Sequence, residues 1–495
     1  MSRSRLNAAQ LIDLALDADS WVSWDTPPER SGVSEGYAAE LAAAERKSGV
    51  DESVLSGEGR ISGRRVAVVA GEFAFLAGSI GRAAADRLVA AVTRATREGL
   101  PLLAAPVSGG TRMQEGTPAF VQMVRISEAV ATHKAAGLPY LVYLRHPTTG
   151  GVMASWGSLG HVTVAEPEAL LGFLGPRVYE ALYGKPFPPG VQTSENLSAR
   201  GIIDGVVAPE DIAEILDRTL RVLLAPRRDI VPSAPLPDDA LFGGAPAVDT
   251  WEAITRSRNP ERPGVRRLLR YAARDVVPLN GTGQGEHHPG LLIALVRFGE
   301  VSCVFLGQDR RGQADQPMGP EALREARRGM RLASELGLPL VTAIDTRGAA
   351  LSPEAENGGL AGEIARSLSD LVTLDAPTLC LMLGEGSGGG ALAMLPADRV
   401  IATQHSWLSP LPPEGASAIV HRDVEHAAEM ARAQKVGAIE LHELGVVDRI
   451  VAERPDAADE PEAFCQRVGL VLEHELAALL EAGPGSPASR AARYA

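Results

Sequence analysis

The sequence predicts an α/β protein built from two similar halves, and three observations carry that prediction. Short apolar runs of β type alternate with amphipathic helical stretches, joined by glycine-rich connections. The runs are continuously apolar, as strands buried on both faces of a parallel sheet are. The landmarks also recur. Gly99-Leu100-Pro101 returns as Gly337-Leu338-Pro339, Gly110 as Gly348, Pro139 as Pro377, and Gly150-Gly151 as Gly388-Gly389, each 238 positions later. Gly201-Ile202-Ile203-Asp204 returns as Gly445-Val446-Val447-Asp448 at an offset of 244. Several elements in register at one offset mark a duplicated domain of roughly 200 residues.

Taken in order, residues 1–55 read as a polar helical extension, broken around Pro27–Gly36. The first repeat, 56–224, opens with a strand over Arg65–Gly71 and an amphipathic helix over Ala83–Glu98. A strand over Leu100–Val107 leads through Ser108-Gly109-Gly110-Thr111 to a helix from about Pro118 to Ala136. A strand over Tyr140–Arg145 turns at Gly150-Gly151 into a predicted helix over Val152–Leu159, and short strands follow at Val162–Ala165 and Ala169–Gly172. Residues 225–285 form a linker with one helical segment: Pro226, Pro232, Pro235 and Pro237 forbid a helix or inner strand at its start. The second repeat, 286–482, has paired strands Leu291–Arg297 and Val301–Gly307, a helix Pro320–Leu336 and a strand Leu338–Asp345. A helix Ala365–Leu374 and a strand Thr378–Gly384 then reach Gly386-Ser387-Gly388-Gly389-Gly390, which opens a further helix. The tail 483–495 is predicted to be disordered.

The chain has 495 residues and a formal net charge of −14. That charge, with no long Lys/Arg run, argues against nucleic acid and anionic membrane as partners. No segment approaches the ~18 uninterrupted apolar residues of a membrane span, and the N-terminus lacks a signal core. Cys303, Cys380 and Cys465 lie too far apart for a zinc site and are too few for a disulfide framework. The expected compartment is the cytoplasm, with no metal.

Each repeat carries two strand–glycine–helix turns: Gly109-Gly110 and Gly150-Gly151, then Gly348 and Gly388–Gly390. Such turns aim unpaired backbone N–H groups at one spot, where a helix dipole adds about half a positive charge. The absence of a Cβ lets a ligand oxygen approach. A phosphate or a developing oxyanion suits such a place. None of the four lysines stands in a P-loop, and there is no Gly-x-Ser-x-Gly elbow, so nucleotide and acyl-enzyme chemistry are disfavoured. His146 reads either as a general base or as a polar loop residue. Arg112 reads either as a phosphate clamp or as a partner of Glu115.

Ser108-Gly109-Gly110-Thr111-Arg112-Met113-Gln114-Glu115-Gly116, Pro147-Thr148-Thr149-Gly150-Gly151, Gly172-Phe173-Leu174-Gly175-Pro176 and Gln192-Thr193-Ser194-Glu195 resemble, in order, the β subunit of bacterial acetyl-CoA carboxylase carboxyltransferase. Trp251-Glu252-Ala253, Asn259-Pro260-Glu261-Arg262-Pro263, Ile344-Asp345-Thr346, Gly384-Glu385-Gly386-Ser387-Gly388-Gly389-Gly390-Ala391 and Pro413-Glu414-Gly415 resemble its α subunit. The likeness covers about residues 20–455.

The resemblance implies two tandem crotonase-like (ClpP/crotonase) domains of the ββα superhelix type. The β-type domain would be the acyl-CoA side and the α-type domain the biotin side. The implied activity moves CO2 from N-carboxybiotin to the α-carbon of an acyl-CoA, acetyl-CoA or a relative, giving a malonyl-CoA-type product for fatty acid biosynthesis. In that scheme Gly150 and Gly151 hold the acyl-CoA enolate oxygen, and Gly389, Gly390 and Ala391 hold the biotin ureido oxygen. Gly109, Gly110, Thr111, Arg112, Arg347, Gly348 and Ala349 would bind substrate. No biotin acceptor motif and no biotin carboxylase region are present. The implied partners are therefore a biotin carboxyl carrier protein and a biotin carboxylase in trans. In the family a first-type domain faces a second-type domain across an oligomer interface, so a homodimer or larger ring is expected.

The family's zinc ribbon is missing, and Arg347 stands where the family reads Asp-Thr-Pro-Gly-Ala. Two other readings remain: a malonyl-thioester decarboxylase, and a non-catalytic paralogue acting in assembly.

Overall fold

The computed structural model describes residues 6–30, 32–243 and 248–495. Positions 1–5 and 31 of the predicted extension and 244–247 of the predicted linker lie outside the described residues, as does the Arg177 side chain. The chain divides into two compact units, Met1–Asp217 and Arg218–Ala495. The division falls within the helix Ile212–Leu223.

The first unit contains β1 (Val22–Ser23), β2 (Val54–Ile61), β3 (Arg64–Gly71), β4 (Leu102–Ala105), β5 (Tyr140–Leu144), β6 (Thr148–Thr149), β7 (Val162–Ala165), β8 (Leu171–Gly172) and β9 (Gly205–Val206). Its main sheet runs β1-β2-β3-β4-β5-β7-β9, while β6 and β8 form a small parallel pair. β2 and β3 make an antiparallel hairpin whose two connecting residues, Ser62 and Gly63, both have positive φ, as a tight hairpin turn demands. From β3 onward all pairings are parallel. The helix Arg82–Arg97 buries Ala84, Ala85, Leu88, Ala91, Val92 and Ala95. This small-residue stripe joins one core with Val69, Leu102, Ala104 and Val142 of the sheet.

The second unit contains β10 (Ala273–Leu279), β11 (Leu291–Phe298), β12 (Val301–Gln308), β13 (Leu340–Thr346), β14 (Thr378–Ser387), β15 (Arg399–Thr403), β16 (Trp407–Ser409) and β17 (Arg449–Val451). The order is β10-β11-β12-β13-β14-β15-β17, with β16 paired to β14. An antiparallel start followed by parallel strands repeats the first sheet. The register repeats too: Leu102 pairs with Tyr140 in the first sheet, and Leu340 with Thr378 in the second. The 22-residue helix Pro461–Ala482 packs Phe464, Val468, Val471, Leu472 and Leu476 into the second core. Among the described residues no helix is long and apolar enough to cross a membrane.

Four expectations from sequence need correction. The boundary drawn at 55/56 falls inside β2, and the helix Ala8–Ala15 of the extension buries Leu11 and Ile12, so it is part of the first unit. The predicted helix Val152–Leu159 is a run of turns, held by bonds such as Ala154 N–H to Gly150 O (3.1 Å) and Gly157 N–H to Val152 O (3.0 Å). Two short-range glycines and a serine that bonds back to Gly151 O prevent a regular ladder there. The predicted linker contains the helix Val265–Ala272 and β10, both integral to the second unit.

Finally, the tail 483–495 is ordered around one buried cation. Arg490 donates to the carbonyls of Leu374 (2.7 Å), Val372 (3.1 Å) and Ala376 (2.8 Å) and pairs with Asp398 (2.7 Å). It thereby satisfies orphan carbonyls just past the helix Leu360–Val372. Arg490→Ala leaves Asp398 partly buried without its main counter-charge, at an expected cost of about 3–5 kcal/mol. Denaturant unfolding measures this; an unchanged midpoint would contradict an anchoring role for the tail.

Candidate active site

The two glycine turns of each unit meet by the same local devices. In the first unit, Gly110 N–H donates to Ser108 Oγ (2.9 Å), and Thr111 bridges Ile80. In the second, Gly348 N–H donates to Thr346 Oγ1 (3.1 Å), and Ala349 bridges Met318. Gly110 and Gly348 have φ of 112° and 124°, a region closed to most side chains. Each presses on the following turn. A Cβ on Gly150 would lie 3.2 Å from the Gly110 Cα, and one on Gly348 would lie 3.6 Å from the Ser387 carbonyl oxygen.

The amides at these turns fall into two groups. Gly150 N–H is occupied: it donates to the carbonyls of Phe173 (3.0 Å) and Gly172 (3.2 Å), continuing the β6–β8 pairing. That overturns Gly150 as an oxyanion donor. Gly151, Val152 and Met153 follow, and among the described residues their N–H groups meet no acceptor. In the second unit, the five-residue helix Gly388–Leu392 has Gly388, Gly389 and Gly390 as its first-turn amides, which lack a partner within the helix. Ala391 is the fourth helical residue, so helix geometry directs its amide to the Ser387 carbonyl rather than to a ligand. Ser387, the N-cap, makes no capping bond, and its buried hydroxyl has no partner among the described residues.

Arg112 also departs from expectation. It is buried against an equally buried Glu52, with further bonds to the Ser79 carbonyl (2.7 Å) and Ser53 Oγ (3.1 Å). Glu115 is 3.7 Å away and instead accepts from Tyr37 OH (2.6 Å) and Arg82 N–H (2.7 Å). With its donors spent on the fold, Arg112 is not a phosphate clamp. Gly109 N–H is spent similarly, on the Ala77 carbonyl (2.9 Å). His146 takes the loop role: its Nδ1 accepts Leu170 N–H (3.0 Å).

Around the second turn the structure assembles a charged cluster in which Arg258 and Arg310, which sequence reasoning missed, join the predicted Arg347. Arg258, from the helix Thr250–Ser257 and its cap, pairs with Glu414 (2.6 Å) and Glu385 (3.1 Å). Arg310 lies 3.9 Å from both Asp345 and Glu385, and Arg347 lies 3.5 Å from Glu385. Burial pushes the Asp345 carboxyl up to about 6, against the pull of Arg310 and Arg262. Asn259-Pro260-Glu261-Arg262 was visible as a motif, but nothing local in sequence links Arg258 or Arg310 to Glu385, more than seventy residues on.

The metal-type cluster among the described residues is His405, Glu453 and Asp456. Arg262 already stands there as the cation, donating to Glu453 at 2.6 and 2.7 Å, while His405 Nδ1 lies 2.9 Å from it. Despite burial, Arg262 and His405 hold the Glu453 carboxyl well below the usual carboxylate range.

Comparison with known proteins bears on these features. Residues 1–482 match the family model described as "Carboxyl transferase domain". The chain is 60% identical over 494 residues to the probable biotin-dependent acyl-coenzyme A carboxylase beta3 subunit of Mycobacterium tuberculosis (strain ATCC 25618 / H37Rv), spanning 99% of this chain and 98% of that one. It is 33% identical over 500 residues to the acetyl-coenzyme A carboxylase carboxyl transferase subunits beta/alpha of Salinispora arenicola (strain CNS-205), spanning 97% and 88%. Among solved structures it resembles transcarboxylase 12S, described as a hexamer assembly with methylmalonyl-coenzyme A and methylmalonic acid bound. The TM-score is 0.75 at 20% identity, covering 95% of this chain and 90% of that one, a likeness of fold.

Proposed function

The chain belongs to the carboxyl transferase domain family, and on that premise we propose that it is the carboxyltransferase subunit of a biotin-dependent acyl-CoA carboxylase. Its two units are read as tandem crotonase-like domains, the first serving the acyl-CoA and the second the biotin. The repeated sheet order and the paired Ser108/Thr346 turn bonds support a duplication. The observation that carries the chemistry is the set of amides without acceptors, among the described residues, at the second glycine turn of each unit. Gly151 with Val152 suits a thioester enolate oxygen, and Gly389 with Gly390 suits a ureido oxygen. Biotin on its carrier would supply the nitrogen that holds CO2 and the ureido oxyanion that accepts the α-proton. The chain's own task is to orient both reactants and steady negative oxygen. That task needs no strong side-chain base, which fits His146 being tied to Leu170.

The acyl group is acetyl or a near relative, and the partners are a biotin carrier and a biotin carboxylase. The chain is expected to act in the cytoplasm as a homodimer or larger ring, with sedimentation as the check.

The test is to incubate the purified chain with malonyl-CoA or methylmalonyl-CoA, with and without free biotin. Decarboxylation that requires biotin, running the transfer backwards, is the expected result. Turnover independent of biotin makes the chain a malonyl-thioester decarboxylase instead. Retained partner binding with no turnover on any thioester makes it an assembly paralogue.

A further inference from the structure

The landmarks that recur 238 positions apart pair Thr149 of the first unit with Ser387 of the second, each just before the second glycine turn and each buried. The Thr149 hydroxyl is spent on the fold. It donates to the Ser108 carbonyl (3.3 Å), the same oxygen that accepts the Thr149 N–H (2.9 Å). The corresponding carbonyl in the second unit is that of Thr346, and the Ser387 hydroxyl does not use it. At 1% exposure that hydroxyl has no partner among the described residues, and a buried polar group left in that state calls for an explanation. Ser387 is also the N-cap of the helix Gly388–Leu392, with the extended backbone of an N-cap, φ −119° and ψ 134°. A serine there ordinarily accepts from the second or third amide of its helix. Here it does not, so the Gly389 and Gly390 amides stay open and the hydroxyl that could close them stays free. The hydroxyl lies where the two glycine turns of this unit meet. A Cβ on Gly348 would lie 3.8 Å from Ser387 Oγ, and one on Gly390 would lie 3.5 Å from Ala349 N.

We propose that Ser387 is a catalytic residue of the carboxyl transfer, its hydroxyl donating a third hydrogen bond, beside the Gly389 and Gly390 amides, to the ureido oxygen as that oxygen gains negative charge. The proposal rests on the biotin-side reading of the second unit. A hydroxyl turns about its C–O bond and can aim its proton at an oxygen that arrives from outside. The neutral carbonyl is the weaker acceptor and the charged oxygen the stronger, so the bond counts mainly in the transition state. In the free protein the unpaired hydroxyl costs stability, as polar groups held ready at a functional site do. Thr149 carries no such cost, because its hydroxyl already has the Ser108 carbonyl.

The experiment uses the full chain and follows biotin-dependent decarboxylation of malonyl-CoA or methylmalonyl-CoA with free biotin varied, alongside thermal unfolding of the ligand-free protein. Ser387→Ala is expected to lower kcat about 10- to 100-fold, the scale of one hydrogen bond to a charged oxygen. The KM values for biotin and for the thioester stay within about threefold of the parent's, because a contact made mainly in the transition state shows in kcat. The thermal midpoint of Ser387→Ala equals or exceeds the parent's, since the change removes an unpaired buried hydroxyl and no bond of the fold. Ser387→Thr, which copies the residue of the first unit, keeps a hydroxyl and recovers part of kcat. An unchanged kcat in Ser387→Ala overturns the proposal. So does a fall in kcat that comes with a lowered midpoint, which makes the hydroxyl a structural contact, or a fall that Ser387→Thr does not relieve. If the unaltered chain shows no biotin-dependent turnover, the functional reading itself fails and this proposal with it. An active parent with an insensitive Ser387→Ala variant removes only the proposal.

Discussion

Gly151→Val is expected to abolish turnover while the protein still folds. At Gly151 the backbone φ lies outside the left-handed region, so a side chain is conformationally allowed. An added Cβ would meet Met123 Cγ, Met123 Sδ and Thr111 Oγ1, each at 3.3 Å. These are side-chain atoms, and Met123 yields at small cost. The valine methyl groups then occupy the space in front of the Gly151 and Val152 amides. If those amides hold an enolate oxygen, kcat/KM falls by at least about 10²–10³, the usual cost of losing one oxyanion donor. Circular dichroism and the thermal midpoint should remain near those of the parent. Gly150→Val is the contrasting control: φ is 65° and the new Cβ would sit 3.2 Å from the Gly110 backbone, so folding itself suffers. Full activity in Gly151→Val sinks the oxyanion assignment in the first unit.

Arg112→Leu is expected to act in the opposite way, removing stability and sparing substrate affinity. Arg112 and Glu52 each have 1% side-chain exposure, and Arg112 Nη1 donates to Glu52 Oε2 at 3.0 Å. Removing the cation strands a buried carboxylate, at a cost of about 3–5 kcal/mol. Urea unfolding should show that loss, while the acyl-CoA KM measured on the folded fraction stays constant. A large rise in KM with unchanged stability would restore Arg112 as a ligand contact. The motif around Arg112 is equally visible in sequence under either role. Only its neighbours from the helix Glu35–Ser48 and from the chain before β2 decide between them.

The same division runs through the molecule. Periodicity and punctuation located β3, β4, β5, β13 and β14 to within a few residues, because buried parallel strands are continuous apolar runs closed by glycine or proline. β1, β2 and β10 escaped notice. They are short, edge-lying or mixed in polarity, and β10 carries Arg274, Asp275 and Pro278. The ordered tail escaped because Pro484, Gly485 and Ser486 look like a disordered stretch until Arg490 meets the end of a helix more than a hundred residues earlier.

By itself the sequence determined the α/β class, the recurrence of landmarks at one offset and the positions of the four glycine turns. All of these are written in local composition and repeated spacing. Tertiary structure decided which amides at those turns are free, because a carbonyl from β8 takes the Gly150 N–H and, among the described residues, nothing takes that of Gly151. It also decided which arginines are spent on the fold and which face outward. A guanidinium's role depends on the carboxylates packed around it, and those arrive from distant parts of the chain.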